Sequence, residues 1–442
     1  MITLTNARLL TMDAELTEHR RGWLRIEGPV IQGLGPGEPP EMSPHAAENE
    51  TRIDCGGDLV MPGFVNPHCH MPMTLFRGLG EDVDDRLFRY VLPLERQAVT
   101  PEVVAIGARH AALEMIRAGV TCVADMYYYE TEIGRVIDEA GMRGVVGQTL
   151  ADFDPPDHCD MDEGFALCDA LFEEFASHPR VTPSIAPHAP YSTGTHVMAR
   201  VAEWAEAHPG AIVQLHLAEM ASEMAWCAEH HNARPVAVVD QAGLLRKRLV
   251  AAHCLYVEPE EIALMAERGV RVAHNARSNA KAGRGIAPVD AMRAAGIPVG
   301  IATDGPMSGN TLDLFAQFGA VSMFAKLLGR SRKPMPARDV VIMATREGAA
   351  VLGMEDDIGA LEPGKRADLI RISLDDPRVQ PVWDVYAALV FACGPEDVRD
   401  VMVEGAWLMQ ERVVRTLEPE KVLADAEQVA KGFGALVGVP SP

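Results

Sequence analysis

The sequence predicts a mixed α/β protein, a (β/α)₈ TIM barrel with a small β-sandwich domain formed from both termini. Three observations carry that expectation. Between Leu59 and Gly353, short apolar runs alternate with amphipathic stretches, the pattern of βα units that share a parallel sheet. Eight such runs can be placed, and the roughly 300 residues they occupy match the length of such a barrel. Both ends of the chain read instead as short strands and turns, too small to stand alone.

The N-terminal strand pieces are Ile2–Leu4, Leu9–Met12 and Gly22–Ile26, followed by the turn-rich run Gly33-Leu-Gly-Pro-Gly-Glu-Pro-Pro. Their expected partners are Ala367-Asp-Leu-Ile-Arg-Ile and Val401-Met-Val-Glu-Gly-Ala-Trp-Leu-Met. Residues 1–58 and 358–415 are therefore assigned to the small domain, and 59–357 to the barrel. The barrel strands are expected at Val60–Asn66, Val120–Asp125, Gly144–Thr149, Val181–Ala186, Ile212–Leu217, Leu249–Ala252, Val270–Ala273 and Val299–Thr303. Residues 416–442 are expected to form a C-terminal helix, amphipathic over Leu417–Val437, that packs on the barrel or on a second subunit.

Bulk properties exclude several function classes. The 442 residues are 48% hydrophobic and 23% charged, with no run of about 18 apolar residues to span a membrane. A net charge of −23 repels nucleic acid and anionic lipid. The N-terminus lacks the basic and apolar regions of a secretory signal, so the cytoplasm is the expected compartment. Eight cysteines without a CxxC pair read as reduced thiols rather than a disulfide framework or a cysteine metal site.

Barrel enzymes place their chemistry at the C-terminal ends of the strands, and the polar candidates fall there. His68 and His70 follow the first strand, and His188 follows the fourth. His216 and Glu219 end the fifth, His253 the sixth, His274 the seventh and Asp304 the eighth. Any one of them reads better as a satisfied core or surface residue; six strand ends so furnished do not. In Asn66-Pro-His68-Cys-His70 the two imidazoles sit two apart on extended chain, so both face one side and can chelate one ion. His216 and Asp304 complete three nitrogens and one carboxylate, with room for the water that a catalytic site keeps.

The first lysine is Lys247. No lysine is available on the first five strands to bridge two metals as a carbamate, so a single divalent ion is expected. Zinc suits these donors, with iron and manganese as alternatives. His253 and Asp304 are placed to take a proton from the attacking water. Glu219, just past a ligand in His216-Leu-Ala-Glu219, is assigned as the proton shuttle.

These residues in this order resemble the amidohydrolase superfamily, in the branch of S-adenosylhomocysteine and methylthioadenosine deaminases and triazine chlorohydrolases. The resemblance runs from Met1 to about Thr416. It is carried by Met61-Pro-Gly-Phe-Val-Asn-Pro-His-Cys-His, Leu92-Pro-Leu-Glu95, Ala186-Pro-His-Ala-Pro-Tyr191, His216-Leu-Ala-Glu219, Ala252-His-Cys254, Thr303-Asp-Gly305 and Leu361-Glu-Pro-Gly-Lys-Arg-Ala-Asp-Leu. It implies a hydrolytic deamination, in which water attacks an amino-bearing carbon of a heterocycle, Glu219 protonates the ring nitrogen, and ammonia departs. It also implies that Glu95 grips ribose hydroxyls and that His188 lies beside the substrate.

Departures from the family pattern concern the substrate. Gln148 stands where an arginine is expected, Arg277 is added after the seventh strand, Ala282 replaces a leucine, and Pro306-Met307 follow Asp304-Gly305. Glu95, His188, Gln148 and Arg277 are thus the candidate substrate residues. The expected substrate is an adenosine-type nucleoside, with a triazine, pterin or guanine amino- or chlorohydrolase as the alternative. Glu219 favours deamination, because ammonia needs a proton to leave and chloride does not. A non-catalytic scaffold is disfavoured by the complete ligand set. The expected partners are a small heterocycle and further copies of the chain, as a dimer or tetramer.

Overall fold

The computed structural model describes residues 1–41 and 49–438; residues 42–48 and 439–442, which fall in the expected small domain and C-terminal segment, lie outside the described residues. The chain opens with β1 (Ile2–Leu10), β2 (Glu18–Glu27), β3 (Val30–Pro36), β4 (Thr51–Asp54) and β5 (Leu59–Pro62). Strand β1 pairs antiparallel with β2 and parallel with β4 and β5. The two pieces expected at Ile2–Leu4 and Leu9–Met12 are one strand. Asn6, at a left-handed φ of 52°, lies where β1 carries one residue more than β2, a bulge that keeps the strand paired on both sides.

Eight parallel strands follow as β6 (Phe64–Cys69), β7 (Val120–Tyr127), β8 (Arg143–Leu150), β9 (Val181–Pro187), β10 (Ile212–Leu217), β11 (Leu249–His253), β12 (Arg271–His274) and β13 (Val299–Ile301). They pair in sequence order around a nearly closed barrel. Every residue of β7 and β8 is buried, as expected for strands covered on both faces. The barrel closes through side-chain and backbone hydrogen bonds between its first and last strands. Asn66 donates from Nδ2 to Thr303 Oγ1 at 2.8 Å and accepts from the Thr303 amide at 3.1 Å, and the Asp304 amide donates to the His68 carbonyl at 3.2 Å. This seam sets His68 beside Asp304.

The run expected as a single first strand, Val60–Asn66, is divided at Gly63. Strand β5 pairs with β1, whereas β6 pairs with β7. The Gly63 amide donates to Asp368 and the Phe64 amide to Gly119, so the chain changes sheets within one residue. Only glycine fits there, because a Cβ would overlap the Thr121 side chain.

The chain ends in β14 (Leu369–Ile372), β15 (Val398–Val403), β16 (Ala406–Gln410) and β17 (Val413–Val414). These continue the N-terminal strands in one sheet ordered β17-β16-β15-β14-β5-β1-β2-β3, with β4 on β1. The sheet curls on itself until the Gly28 turn meets the Gly405 turn, enclosing Leu4, Leu9, Leu24, Ile26, Leu369 and Met402. One curled sheet thus makes the expected sandwich from both termini. Buried Arg143 on β8 ties it to the barrel by ion pairs with Asp368 and Glu404, both at 2.9 Å. The helix Pro419–Val437 packs on the barrel, with Phe433 against Phe76 at 5.0 Å between centroids. Among the described residues, no helix is long and apolar enough to cross a membrane.

Candidate metal centre and active site

At the C-terminal mouth of the barrel the side chains of His68, His70, His216 and Asp304 converge. His70 Nε2 lies 3.4 Å from Asp304 Oδ1 and 3.4 Å from His216 Nε2, and His68 Nε2 lies 3.9 Å from Asp304 Oδ1. The donor atoms of His68, His70 and Asp304 all fall within 4.8 Å of one another, as do those of His68, His216 and His253. His253 is therefore a fifth member of the cluster.

The far sides of these rings are fixed. His70 Nδ1 meets the Met126 carbonyl at 2.5 Å, and His216 Nδ1 meets the His188 carbonyl at 2.9 Å. A carbonyl only accepts, so each Nδ1 carries a proton and each Nε2 faces the centre, where a cation can take the place of any proton on it. Asp304 is held by Ser278 Oγ on Oδ2 at 2.5 Å and by the Gly305 amide on Oδ1 at 2.6 Å. His253 and Asp304 take left-handed φ values of 74° and 62°, backbone strain of the kind that clusters where side-chain direction matters.

Electrostatics and an orphaned atom test whether an ion fits. Burial, with the neighbouring imidazoles, holds His68 well below the usual histidine range, and burial lowers His216 to about 4. His70 goes the other way, to about 9: burial opposes the rise, but the Asp304 carboxylate outweighs it. Burial would also raise Asp304, yet the His70 hydrogen bond and the neighbouring His253 hold it well below the carboxylate range. The cluster thus pairs an ionised carboxylate with two imidazoles, His68 and His216, held in the neutral form that binds a metal. His68 Nε2 is buried with no hydrogen-bond partner among the described residues, a defect that ordinarily costs about 1–3 kcal/mol. A divalent cation satisfies that lone pair, and imidazole nitrogen with carboxylate oxygen is a donor set for one.

Glu219 sits beside the cluster, with Oε1 3.7 Å from His253 Nε2 and in contact with the guanidinium of Arg284. The turn that presents it is pinned by buried Glu223, whose carboxylate accepts from the Ala218 amide at 2.9 Å and the Glu219 amide at 2.8 Å. Glu223 is the third residue of the helix Ala221–His231 and reaches back over that helix's N-terminus. Asn279 Oδ1 accepts from His253 Nδ1 at 2.8 Å, fixing that ring as well.

A cavity of about 740 Å³ opens over the cluster. Its wall includes Glu95, Tyr127, His188, Glu219, His253 and Asp304, together with Arg86, Lys281 and Arg284. Glu95 projects from the helix Leu92–Ala98, where burial raises its carboxyl to about 7. His188 meets Ser192 Oγ at 2.7 Å through Nδ1. Gln148 and Arg277, expected at the substrate, are not among the residues lining the cavity. Gln148 is buried and donates to Asp157 Oδ2 at 2.9 Å, and Arg277 donates to Thr311 Oγ1 at 3.2 Å. Both side chains are drawn to partners behind the wall.

Residues 59–408 match the amidohydrolase family. The chain belongs to that family. The 5-methylthioadenosine/S-adenosylhomocysteine deaminase of Syntrophobacter fumaroxidans is 34% identical over 432 residues, covering 97% of this chain and 98% of that one. The 5′-deoxyadenosine deaminase of Methanosarcina mazei is 34% identical, with 99% of each chain covered. The crystal structure of an adenosine deaminase from Xanthomonas campestris with bound zinc matches with a TM-score of 0.93 at 31% identity, over 98% of both chains.

Three residues of this amidohydrolase site escaped sequence reasoning. Asn279 and Glu223 touch the chemistry only through another residue, and nothing in their spacing marks them. Arg284 carried a signal: it stands between Gly283 and Gly285, at φ 65° and 117°, in a loop at the barrel mouth. An arginine set between two such glycines is a side chain whose backbone has been turned to aim it.

Proposed function

We propose that this amidohydrolase is a metal-dependent hydrolytic deaminase that releases ammonia from an aminated N-heterocycle, with an adenosine-type nucleoside as its substrate. The observation that carries this reading is the position of Glu219: a carboxylate on the cavity wall, beside His253 and next to a cluster of cation-favouring donors. The names of the deaminase relatives agree with it. His68, His70, His216 and Asp304 hold the ion, which we take to be zinc, as in the adenosine deaminase of similar structure. When bound, the ion supplies Lewis-acid activation of the attacking water.

The chain's own residues account for both protons of that water. Glu219 takes one and delivers it to the ring nitrogen next to the amino-bearing carbon, where it stays in the oxo product. His253 and Asp304 take the other and pass it to the amino group, which leaves as ammonia. Charge on Glu219 suits the first step. Burial would raise its carboxyl, but the neighbouring His253 and the Arg284 guanidinium keep it below the ordinary glutamate value, so it meets the water ionised. Glu95 accepts hydrogen bonds from the ribose hydroxyls, and His188 lies against the sugar or its 5′ substituent.

The test is ammonia release by the zinc-loaded protein across adenosine, 5′-substituted adenosines, guanine, pterins, cytosine and aminotriazines. Turnover is expected with the adenosine derivatives. Release from a free base or triazine alone would overturn the substrate class, and no release from any compound would overturn the reaction.

A further inference from the structure

The contact of Glu219 with Arg284 does more than keep the carboxylate ionised. We propose that Arg284 is a positioning residue for Glu219: it anchors one carboxylate oxygen so that the other faces the substrate. This rests on Glu219 being the shuttle.

The geometry divides the carboxylate into two unlike oxygens. Oε1 receives the Arg284 guanidinium through Nη1 and lies 3.7 Å from His253 Nε2. Among the described residues, none hydrogen-bonds Oε2. A shuttle must collect a proton on one side and release it on another, so an oxygen already claimed by a guanidinium serves poorly and its free twin serves well. A glutamate on a loop has three side-chain torsions to fix. Glu223 fixes the backbone end through the Ala218 and Glu219 amides, and Arg284 fixes the carboxylate end.

Arg284 is itself held. Its amide donates to the Asn279 carbonyl at 3.0 Å, and its carbonyl accepts from Tyr256 Oη at 3.3 Å. The side chain of the same Asn279 meets His253 Nδ1 at 2.8 Å. One residue of the loop after β12 therefore registers both groups that face Glu219 Oε1, the imidazole through its side chain and the guanidinium through its backbone. The left-handed Gly283 and Gly285 on either side turn the chain so that the arginine reaches across the mouth to the loop after β10. A solvated surface arginine has no need of this bracing.

Arg284→Met keeps the length and apolar stem and removes charge and donors. Because a small misplacement of a reacting group can cost about 100-fold, kcat on the best adenosine derivative is expected to fall about 10- to 100-fold, with KM held within about threefold because uniform binding is untouched. Arg284→Lys, which keeps a charged donor, restores part of the loss. The deciding measurement is the double variant with Glu219→Gln: if Arg284 acts only through the Glu219 carboxylate, it turns over no more slowly than Glu219→Gln alone. A loss in the double variant equal to the product of the two single losses would give Arg284 an independent role and overturn the proposal. So would an unchanged kcat in Arg284→Met, or a change confined to KM. If wild-type enzyme turns over none of the compounds above, the shuttle reading and this proposal fall together. That failure is seen before any Arg284 variant is made, and so is distinct from failure of the positioning role alone.

Discussion

Replacing Glu219 by glutamine changes the carboxylate for an amide of nearly the same size, and the surroundings define what is lost. Glu223 still holds the backbone amides of residues 218 and 219, so the turn persists. The four side chains proposed to hold the metal do not depend on Glu219. What disappears is the carboxylate proposed to accept a proton from water and pass it on. A positioned acid–base side chain is worth about 10²- to 10⁴-fold in rate, which corresponds to about 3–5 kcal/mol of barrier. Glu219→Gln should therefore bind its divalent metal at the wild-type stoichiometry and lose kcat by that factor, measured as ammonia release at saturating substrate alongside metal content by mass spectrometry. A variant within about threefold of the wild-type rate would refute the reasoning, since no general acid–base group is worth so little. Loss of the ion would also refute it, by tying Glu219 to the metal.

His68→Ala should lose both the ion and the activity, because it removes the buried lone pair that no protein group satisfies; full metal occupancy in that variant contradicts the ligand assignment. Glu95 gives a pH signature. Burial lifts its carboxyl from 4.5 to about 7, so it becomes a full acceptor for ribose hydroxyls only above that value, and KM for a nucleoside should fall as pH rises from 6 to 8 by about the change in ionised fraction. In Glu95→Gln that slope disappears; a slope that survives assigns the titration elsewhere. The same shift acts on stability. With the folded value raised, the unfolded state binds fewer protons between 4.5 and 7, so stability falls as pH rises through that window, by about 3 kcal/mol in all. Denaturant titrations of Glu95→Gln at both ends of the window should show that loss removed. Arg143→Met leaves Asp368 and Glu404 facing each other without their shared cation and should cost about 3–5 kcal/mol in denaturant unfolding; a loss below 1 kcal/mol would show that the pair does not join the sheet to the barrel.

The features legible in the sequence are those with a local pattern. The barrel strands appear as apolar runs because both faces are covered, and most of the polar residues at their C-terminal ends converge at the mouth, whereas His274 lines a separate pocket. The His68–His70 spacing needs no knowledge of the rest of the chain. The division of the expected first strand was hidden for the same reason that the strand was visible: Leu59–Cys69 is continuously buried, and burial does not reveal which sheet supplies the hydrogen bonds. Gln148 lies near the end of β8 and Arg277 in the short helix Ala276–Lys281 after β12, yet a side chain's direction depends on the partner within reach, and these two hydrogen-bond Asp157 and Thr311. Arg284 lies 65 residues from Glu219. A contact between two loops carried by different strands leaves no periodicity to read.

The seam between β6 and β13 gives the metal a second consequence. Asn66 and Thr303 are 237 residues apart in sequence, and their side chains join the two ends of the barrel where a continuous ladder would otherwise run. His68 and Asp304 lie directly above that join, so an ion shared between them acts as a removable cross-link over a very long loop, restraining the open chain much as a disulfide of that span would. Chelation then loosens the barrel as a closed ring, beginning at its first and last strands. Amides of β6 and β13 should exchange with solvent sooner in the chelated protein, while those of β9 and β10, on the far side of the ring, keep their protection.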